Sequence, residues 1–381
     1  KAGIEVSKNL WGIFYEEISR AGDGGLYPEM IYNRGFEEKN LPATMTYKND
    51  SIFAPSLPSY NNGNIRNWKL KFNAAEKSEG WILETKANSK ATMEVVTDKP
   101  FLNPGTPHSL LVNIATNDGN VVLMKEGFNG IALKNGEKYD LLFHVRAPGS
   151  YSGKIVASII GSTGNVIAKN EVDVVKNDTW KPYTFTFTSG VTDNKAKLSL
   201  QFTSTGKLWL DYISLLPEST FMNHGLRKDL AQTLADLKPA FIRWPGGCIV
   251  EGCTMENRVK WWESIGPVIG RTGQFDLWGY YNTYGFGYHE FLQLCEDLNA
   301  VGMFVANAGV SCSGRNGDFY DMNKMPEIIE QNLEAIEYAL GDVNTKWGDE
   351  RAKNGHPVPF PLTIVEIGNE NSGANYGARY N

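Results

Sequence analysis

The 381-residue chain carries 37 Lys and Arg against 43 Asp and Glu, a formal net charge of −6. That balance, without a basic run, excludes a polybasic nucleic-acid binder or membrane-surface arm. No stretch reaches the roughly 18 apolar residues of a membrane span, so a soluble chain with room for two domains is expected.

Four cysteines (Cys248, Cys253, Cys295 and Cys312) are too few for a disulfide scaffold and show no zinc-type spacing. The five histidines are scattered without an HExxH pattern, so no catalytic metal and no cofactor is expected. No residue pattern indicates a structural Ca2+. The aromatic content is high, with 10 Trp, 17 Tyr and 18 Phe. Flat rings with polar tips suit sugar faces, although filling a core is their simpler use. Asn49-Asp50-Ser51 and Asn177-Asp178-Thr179 match the N-glycosylation pattern. The sequence begins at Lys1 with neither an initiator Met nor a signal-peptide pattern, so its start is expected to be processed or engineered and leaves the compartment open.

The first predicted element is a short strand at Gly12-Ile13-Phe14-Tyr15-Glu16. Residues 33–217 then read as β throughout. Thr184–Thr188 and Lys197–Phe202 alternate with period two, and Asn117–Asn120, Lys134–Glu137 and Ser162–Asn165 are turn clusters. Many short antiparallel strands predict a jelly-roll β-sandwich with no helix in it. From residue 218 the pattern alternates helix and strand. Leu226, Leu230, Leu234 and Leu237 predict a helix ending before Pro239, followed by a strand at Ala240–Trp244. Phe291, Leu294, Cys295 and Leu298 predict the next helix, before the strand Met303–Asn307. Pro326 starts a third helix with Ile329, Leu333, Ile336 and Leu340 on one face and Gly341 as its cap, before the strand Leu362–Gly368. The expected fold class is therefore α/β plus all-β: a partial (β/α)8 TIM barrel of about four strands with an inserted jelly roll. Residues 1–32 hold the first strand and its loop, 33–217 the insert, and 218–381 strands two to four.

Chemistry-bearing residues cluster at the predicted strand ends. Gly368-Asn369-Glu370 places a carboxyl beside an amide, the pair that glycoside cleavage needs to protonate a leaving oxygen and hold a sugar hydroxyl. As a bare tripeptide it also occurs in ordinary loops. Arg243-Trp244-Pro245-Gly246-Gly247-Cys248 offers close backbone approach to a ligand and an Arg that fixes carboxylates, or simply a tight turn. Glu16 and Glu17 close the first strand, either as hydroxyl binders or as solvated charges. Asn307 is a sugar contact or a turn former.

These segments, with Gly12–Arg20 and Ala306-Asn307-Ala308-Gly309, appear in the order seen in α-L-arabinofuranosidases of glycoside hydrolase family 51, which the whole chain resembles. Asn33-Arg34-Gly35-Phe36-Glu37 and Leu208–Leu215 resemble the opening and closing of a family 4-type carbohydrate-binding module. The resemblance implies a retaining, exo-acting enzyme releasing arabinofuranose from arabinan or arabinoxylan. It assigns Glu370 as general acid/base, Asn369 to the arabinose 2-hydroxyl, and Glu16 and, more weakly, Asn307 to further hydroxyls. Arg243 lies alongside as a fixing group. Cys248 falls at a further substrate-binding position, where many members carry Asn, so that contact is altered or lost. The family nucleophile, a later Glu, is not in this chain, which reads as an N-terminal fragment, inactive alone, with unpaired edges on its first and fourth strands. Glu16, Glu17, Glu29, Glu251 and Glu290 are the acids that might reach the cleft. Arabinose-containing polysaccharides are the expected partners, with a secreted or periplasmic setting and a homo-oligomer as a further expectation. Another retaining barrel glycosidase and a non-catalytic carbohydrate-binding protein remain the alternatives.

Overall fold

The computed structural model describes residues 3, 5–41, 45–54, 69–149 and 151–381. They form two compact units. One comprises Lys1–Tyr27, Leu41–Ala74 and Phe221–Asn381, and the other Pro28–Asn40 and Ala75–Thr220. The expected insert at 33–217 differs from the second unit in one main respect: the stretch 41–74 goes with the first. Its described strands, Thr46–Lys48, Ser51–Phe53 and Lys69–Lys71, form a small antiparallel sheet. Met45, Ile52 and Phe72 bury their side chains with Ile249, Cys253, Phe275 and Leu277, and that shared cluster decides the assignment. Short polar strands gave no sign of it, because the partners lie some 200 residues away.

The second unit is antiparallel β. One sheet orders its strands Asn177–Thr188, Lys138–Ala147, Gly206–Pro217, Ser109–Thr116 and Lys90–Val96. The other orders Val166–Val174, Gly153–Ile160, Asp193–Phe202, Val121–Lys125 and Trp81–Thr85, with Ile131–Leu133 also paired to Asp193–Phe202. The period-two reading of 197–202 follows the pleat: Leu198, Leu200 and Phe202 are fully buried, in one core with Leu110, Val112, Leu141, Phe143, Leu208 and Leu210 of the first sheet. Each such side chain contributes about 1.5–3 kcal/mol on burial. Glu29, one of the acids named above, is buried inside this unit. It accepts hydrogen bonds from Ile31 N–H, Leu215 N–H, the Ser214 hydroxyl and Arg34, so its carboxyl is committed to the fold.

The first unit holds a parallel sheet of four strands in chain order: β1 (Ile13–Phe14), β2 (Phe241–Trp244), β3 (Val301–Ala306) and β4 (Leu362–Ile367). Helix α1 (Lys228–Asp236) precedes β2, and α2 (Tyr288–Asp297) precedes β3. Next come α3 (Met325–Leu340) and α4 (Lys346–Lys353) before β4, and α5 (Gly373–Tyr380) after it. Trp244 of β2 stacks on Phe291 of α2 and Phe304 of β3, locking helix to sheet. Pro and Gly bracket α3 as the sequence predicts.

Its buried face, however, is not the predicted one. Ile328, Ala335, Tyr338 and Ala339 point inward, whereas Ile329, Leu333 and Leu340 are exposed. The helix carries apolar residues on more than one side, and periodicity alone does not say which stripe meets the sheet. Arg351 of the unpredicted α4 is fully buried, donating to the carbonyls of Tyr338, Gly341, His356 and Pro357. No helix among the described residues is long and apolar enough to cross a membrane.

Candidate active site

The site lies in the first unit, beyond the C-terminal ends of β1, β2 and β4. Arg243 on β2 and Glu366 on β4 share one face of the sheet and make a forked ion pair, Nε to Oε2 at 2.6 Å and Nη2 to Oε1 at 2.8 Å. Nη2 also donates to Asn369 Oδ1 at 3.0 Å, and the guanidinium sits over the Phe14 ring of β1. The planar fork therefore ties three strands to the amide expected to meet a sugar. Asn369 is 4% exposed, and its buried Nδ2 faces the Glu251 carboxyl, which it helps to hold down, without a well-formed hydrogen bond among the described residues. A buried donor so placed is a group that a ligand hydroxyl satisfies.

Glu370 follows, exposed, with φ +51°. A non-glycine residue in this region costs of order 1 kcal/mol and is characteristic of functional turns. Gly368, at φ +81°, allows the same turn, since a Cβ there would lie 2.3 Å from Asn371 Oδ1. The Glu370 carboxylate makes no hydrogen bond or ion pair with the described residues.

Glu16 accepts from Ile249 N–H at 3.2 Å. Burial raises its carboxyl, against the backbone hydrogen bonds of Ile249 and Gly247. The two glycines of the β2 turn have a reason the sequence left open. A Cβ on Gly246 would sit 2.5 Å from Glu16 Cβ, and one on Gly247 2.8 Å from Glu16 Oε2. They admit the end of β1 rather than a ligand. Glu17 turns the other way. It is 5% exposed and accepts from Tyr15 Oη, Gly22 N–H and Tyr280 Oη. Glu290 caps α2 through Gly287 N–H and pairs with Arg271. Both are structural.

Burial raises Glu17 from 4.5 to about 7. The folded chain therefore keeps a proton that the unfolded chain has lost, so stability falls as pH rises through that window and the cost is complete above it. Urea unfolding at pH 5 and pH 8 should show a decline that Glu17→Gln reduces by about 3 kcal/mol; an unchanged slope would refute the assignment.

Asn307 does not join the cleft through its side chain. Its Nδ2 donates to the Val250 and Val310 carbonyls, and its Oδ1 accepts from Gly309 and Val310 N–H. It is a turn former, with both amide atoms spent.

Two groups enter that the sequence reading left unassigned. Glu251, 3% exposed, accepts from Asn371 Nδ2. Burial first, then the charges of Cys312 and Glu370, raises its carboxyl to about 8. Cys312, from the loop after β3, meets Cys248. The hydrogen bond from the Cys248 thiol lowers Cys312 to about 6 and raises Cys248 itself. Glu16 also acts electrostatically on Cys248, and Glu370 on Glu251, so one cluster joins Glu16, Arg243, Cys248, Glu251, Asn369 and Glu370. Spacing could not reveal it, because Cys312 is distant in sequence.

Comparison with known proteins follows the same lines. The family described as the α-L-arabinofuranosidase 1 domain matches residues 233–381. α-L-Arabinofuranosidase 1 of Arabidopsis thaliana is 32% identical over 98% of this chain and 51% of its own length. The extracellular exo-α-L-arabinofuranosidase of Streptomyces chartreusis is 32% identical over 97% of this chain and 41% of its own. An arabinose-bound family 51 α-L-arabinofuranosidase structure superposes with a TM-score of 0.81 at 28% identity, covering 96% of this chain and 54% of that one. The chain is similar to these α-L-arabinofuranosidases over nearly all of its own length. It spans about half the length of the curated relatives it matches. The family similarity runs through both units, including the stretch that carries Glu16, Arg243, Asn369 and Glu370.

Proposed function

We propose that this chain carries the acid/base part of a retaining, exo-acting α-L-arabinofuranosidase that removes terminal arabinofuranose from arabinan or arabinoxylan. The observation that carries this reading is the pairing of an exposed Glu370, with no partner among the described residues, and a buried Asn369 fixed by the Arg243 guanidinium at the same strand end. Glu370 protonates the departing glycosidic oxygen and later activates water, Asn369 holds a hydroxyl, and Arg243 fixes Asn369. Glu16, at the edge of the same cluster, takes further hydroxyls.

A retaining mechanism also needs a carboxylate nucleophile roughly 5–5.5 Å from the acid. The described carboxyls close by are already engaged: Glu366 by Arg243, Glu16 by backbone N–H, and Glu251 by Asn371 in a largely protonated state at pH 7. We therefore place the nucleophile outside these 381 residues. The deciding assay uses an aryl α-L-arabinofuranoside and the mass-verified chain. No turnover is expected, and turnover abolished by Glu370→Gln would show a nucleophile within it.

The parallel sheet fits part of a (β/α)8 barrel. Polar groups gather at its C-terminal ends, and the apolar side chains Phe14 on β1 and Val365 and Ile367 on β4 are exposed on the edge strands, where further strands or a second copy would cover them. The antiparallel unit fits a jelly-roll sandwich of carbohydrate-binding type used as structural support. Arg146 lies over both Trp180 and Trp209 and so occupies one face of each ring. Trp209→Ala should leave the affinity for arabinan and xylan oligosaccharides unchanged in calorimetric titration; a loss of about tenfold or more would make the sandwich a sugar binder. Polymeric substrates of this kind favour action outside the cytoplasm, the setting named for the Streptomyces relative.

A further inference from the structure

Cys248 opens a 3-10 turn, Cys248–Val250, directly after Gly247, and Glu251 ends it with its N–H bonded to the Cys248 carbonyl. With three residues per turn, positions three apart lie one above the other. The turn therefore aims a thiol and a carboxyl at the same point. Cys312 is pinned to that turn from the far side. Its N–H donates to the Gly252 carbonyl, and its own carbonyl accepts from Arg315 and Gly317 N–H. The two sulfurs and a carboxylate oxygen all lie within 4.8 Å of one another. A tetrahedral ion with metal–sulfur bonds of about 2.3 Å and a metal–oxygen bond of about 2.0 Å needs its ligands about 3.5–3.8 Å apart. The trio needs only small side-chain adjustments to reach that spacing.

We propose that Cys248, Glu251 and Cys312 form a binding site for one thiophilic divalent cation of the Zn2+ class, with a fourth coordination position open to water. Two sulfurs and one oxygen select a borderline-soft d10 ion over Mg2+ or Ca2+, which take oxygen ligands. Glu251 and Cys312 are almost fully buried, whereas Cys248 is half-buried and leaves the access side. Asn371 Nδ2 holds Glu251 Oε1 from behind, the kind of outer partner that orients a ligating carboxylate. Two thiolates and a carboxylate sum to three negative charges. The ion supplies two positive ones, and Arg315, whose charge also acts on Cys312, supplies the third. Binding releases the Cys248 thiol proton and the Glu251 carboxyl proton to solvent. The site stands on this geometry alone and does not depend on the glycosidase reading.

The test uses the reduced chain after dialysis against a chelator, titrated calorimetrically with Zn2+ and, in parallel, with Cd2+ followed by its ultraviolet thiolate-to-metal absorption. One ion per chain at micromolar or tighter affinity is expected, with a two-thiolate Cd2+ band. Cys312→Ser should abolish the band, and Asn371→Ala should weaken binding about 10–100-fold. Cys295→Ala, within α2, should leave both signals unchanged. Absence of saturable binding to the reduced wild-type chain would overturn the proposal. So would a Cys248→Ser/Cys312→Ser double variant that binds Zn2+ as tightly as the wild type.

Discussion

Glu370→Ala is expected to lower kcat on arabinan oligosaccharides by about 10²–10⁴-fold, the range a general acid contributes. The measurement is made on the catalytically competent protein that carries this chain. The loss should depend on the leaving group. A sugar alkoxide departs only if protonated, whereas a nitrophenolate needs little help. The variant should therefore fall far less on an activated aryl arabinofuranoside during the first chemical step. Azide, which attacks a glycosyl intermediate without general-base assistance, should restore part of the turnover on that substrate. Equal losses on both substrates would remove Glu370 from the acid role. The structural basis is specific. Glu370 is exposed, has no partner among the described residues, and is held at φ +51° beside a committed Arg243–Asn369 contact. Few carboxyls in this chain are so free: Glu17, Glu29 and Glu290 each accept several hydrogen bonds in packed surroundings.

Arg243→Lys is expected to cost about 10²-fold in kcat/KM while barely moving the melting temperature. Lysine keeps the charge but cannot grip Glu366 with two parallel bonds and reach Asn369 as well. Asn369 would then be free to rotate, and its buried Nδ2 would no longer be aimed. The stability change should be small, since Glu366 is more than a third exposed and water replaces part of the lost pairing. The double-mutant cycle with Asn369→Ala separates positioning from direct contact. If Arg243 acts through Asn369, Arg243→Lys should do little more once the amide is gone. Full additivity would mean that Arg243 reaches the substrate itself.

The sequence by itself determined many of the elements of both units and the order of the chemistry along the chain. Strands at 197–202, 241–244, 301–306 and 362–367, and helices near 228, 288 and 325, could be read from periodicity and from Pro and Gly punctuation. These are local properties, set by which side chains fall on one face of a short segment. The strand-end residues Arg243, Asn369 and Glu370 could be singled out because a parallel sheet gathers its strand ends at one edge, whatever the intervening length.

Tertiary structure decided what depends on distant partners. Nothing near Ile52 reveals that it packs against Ile249 and Phe275, so the stretch 41–74 was assigned to the wrong unit. The apolar stripe of α3 was chosen by its neighbours, and Ile329 and Leu333 ended up in water. Asn307 could not be told from a ligand contact until its amide was seen to be spent on four backbone groups. Gly246 and Gly247 proved to make room for Glu16. Cys312 reached Cys248 and Glu251 only through folding, because a cluster drawn from two loops about 60 residues apart leaves no periodic trace. Local pattern is written in the spacing of neighbouring residues, whereas a site is written in which loops meet, and that is fixed by packing.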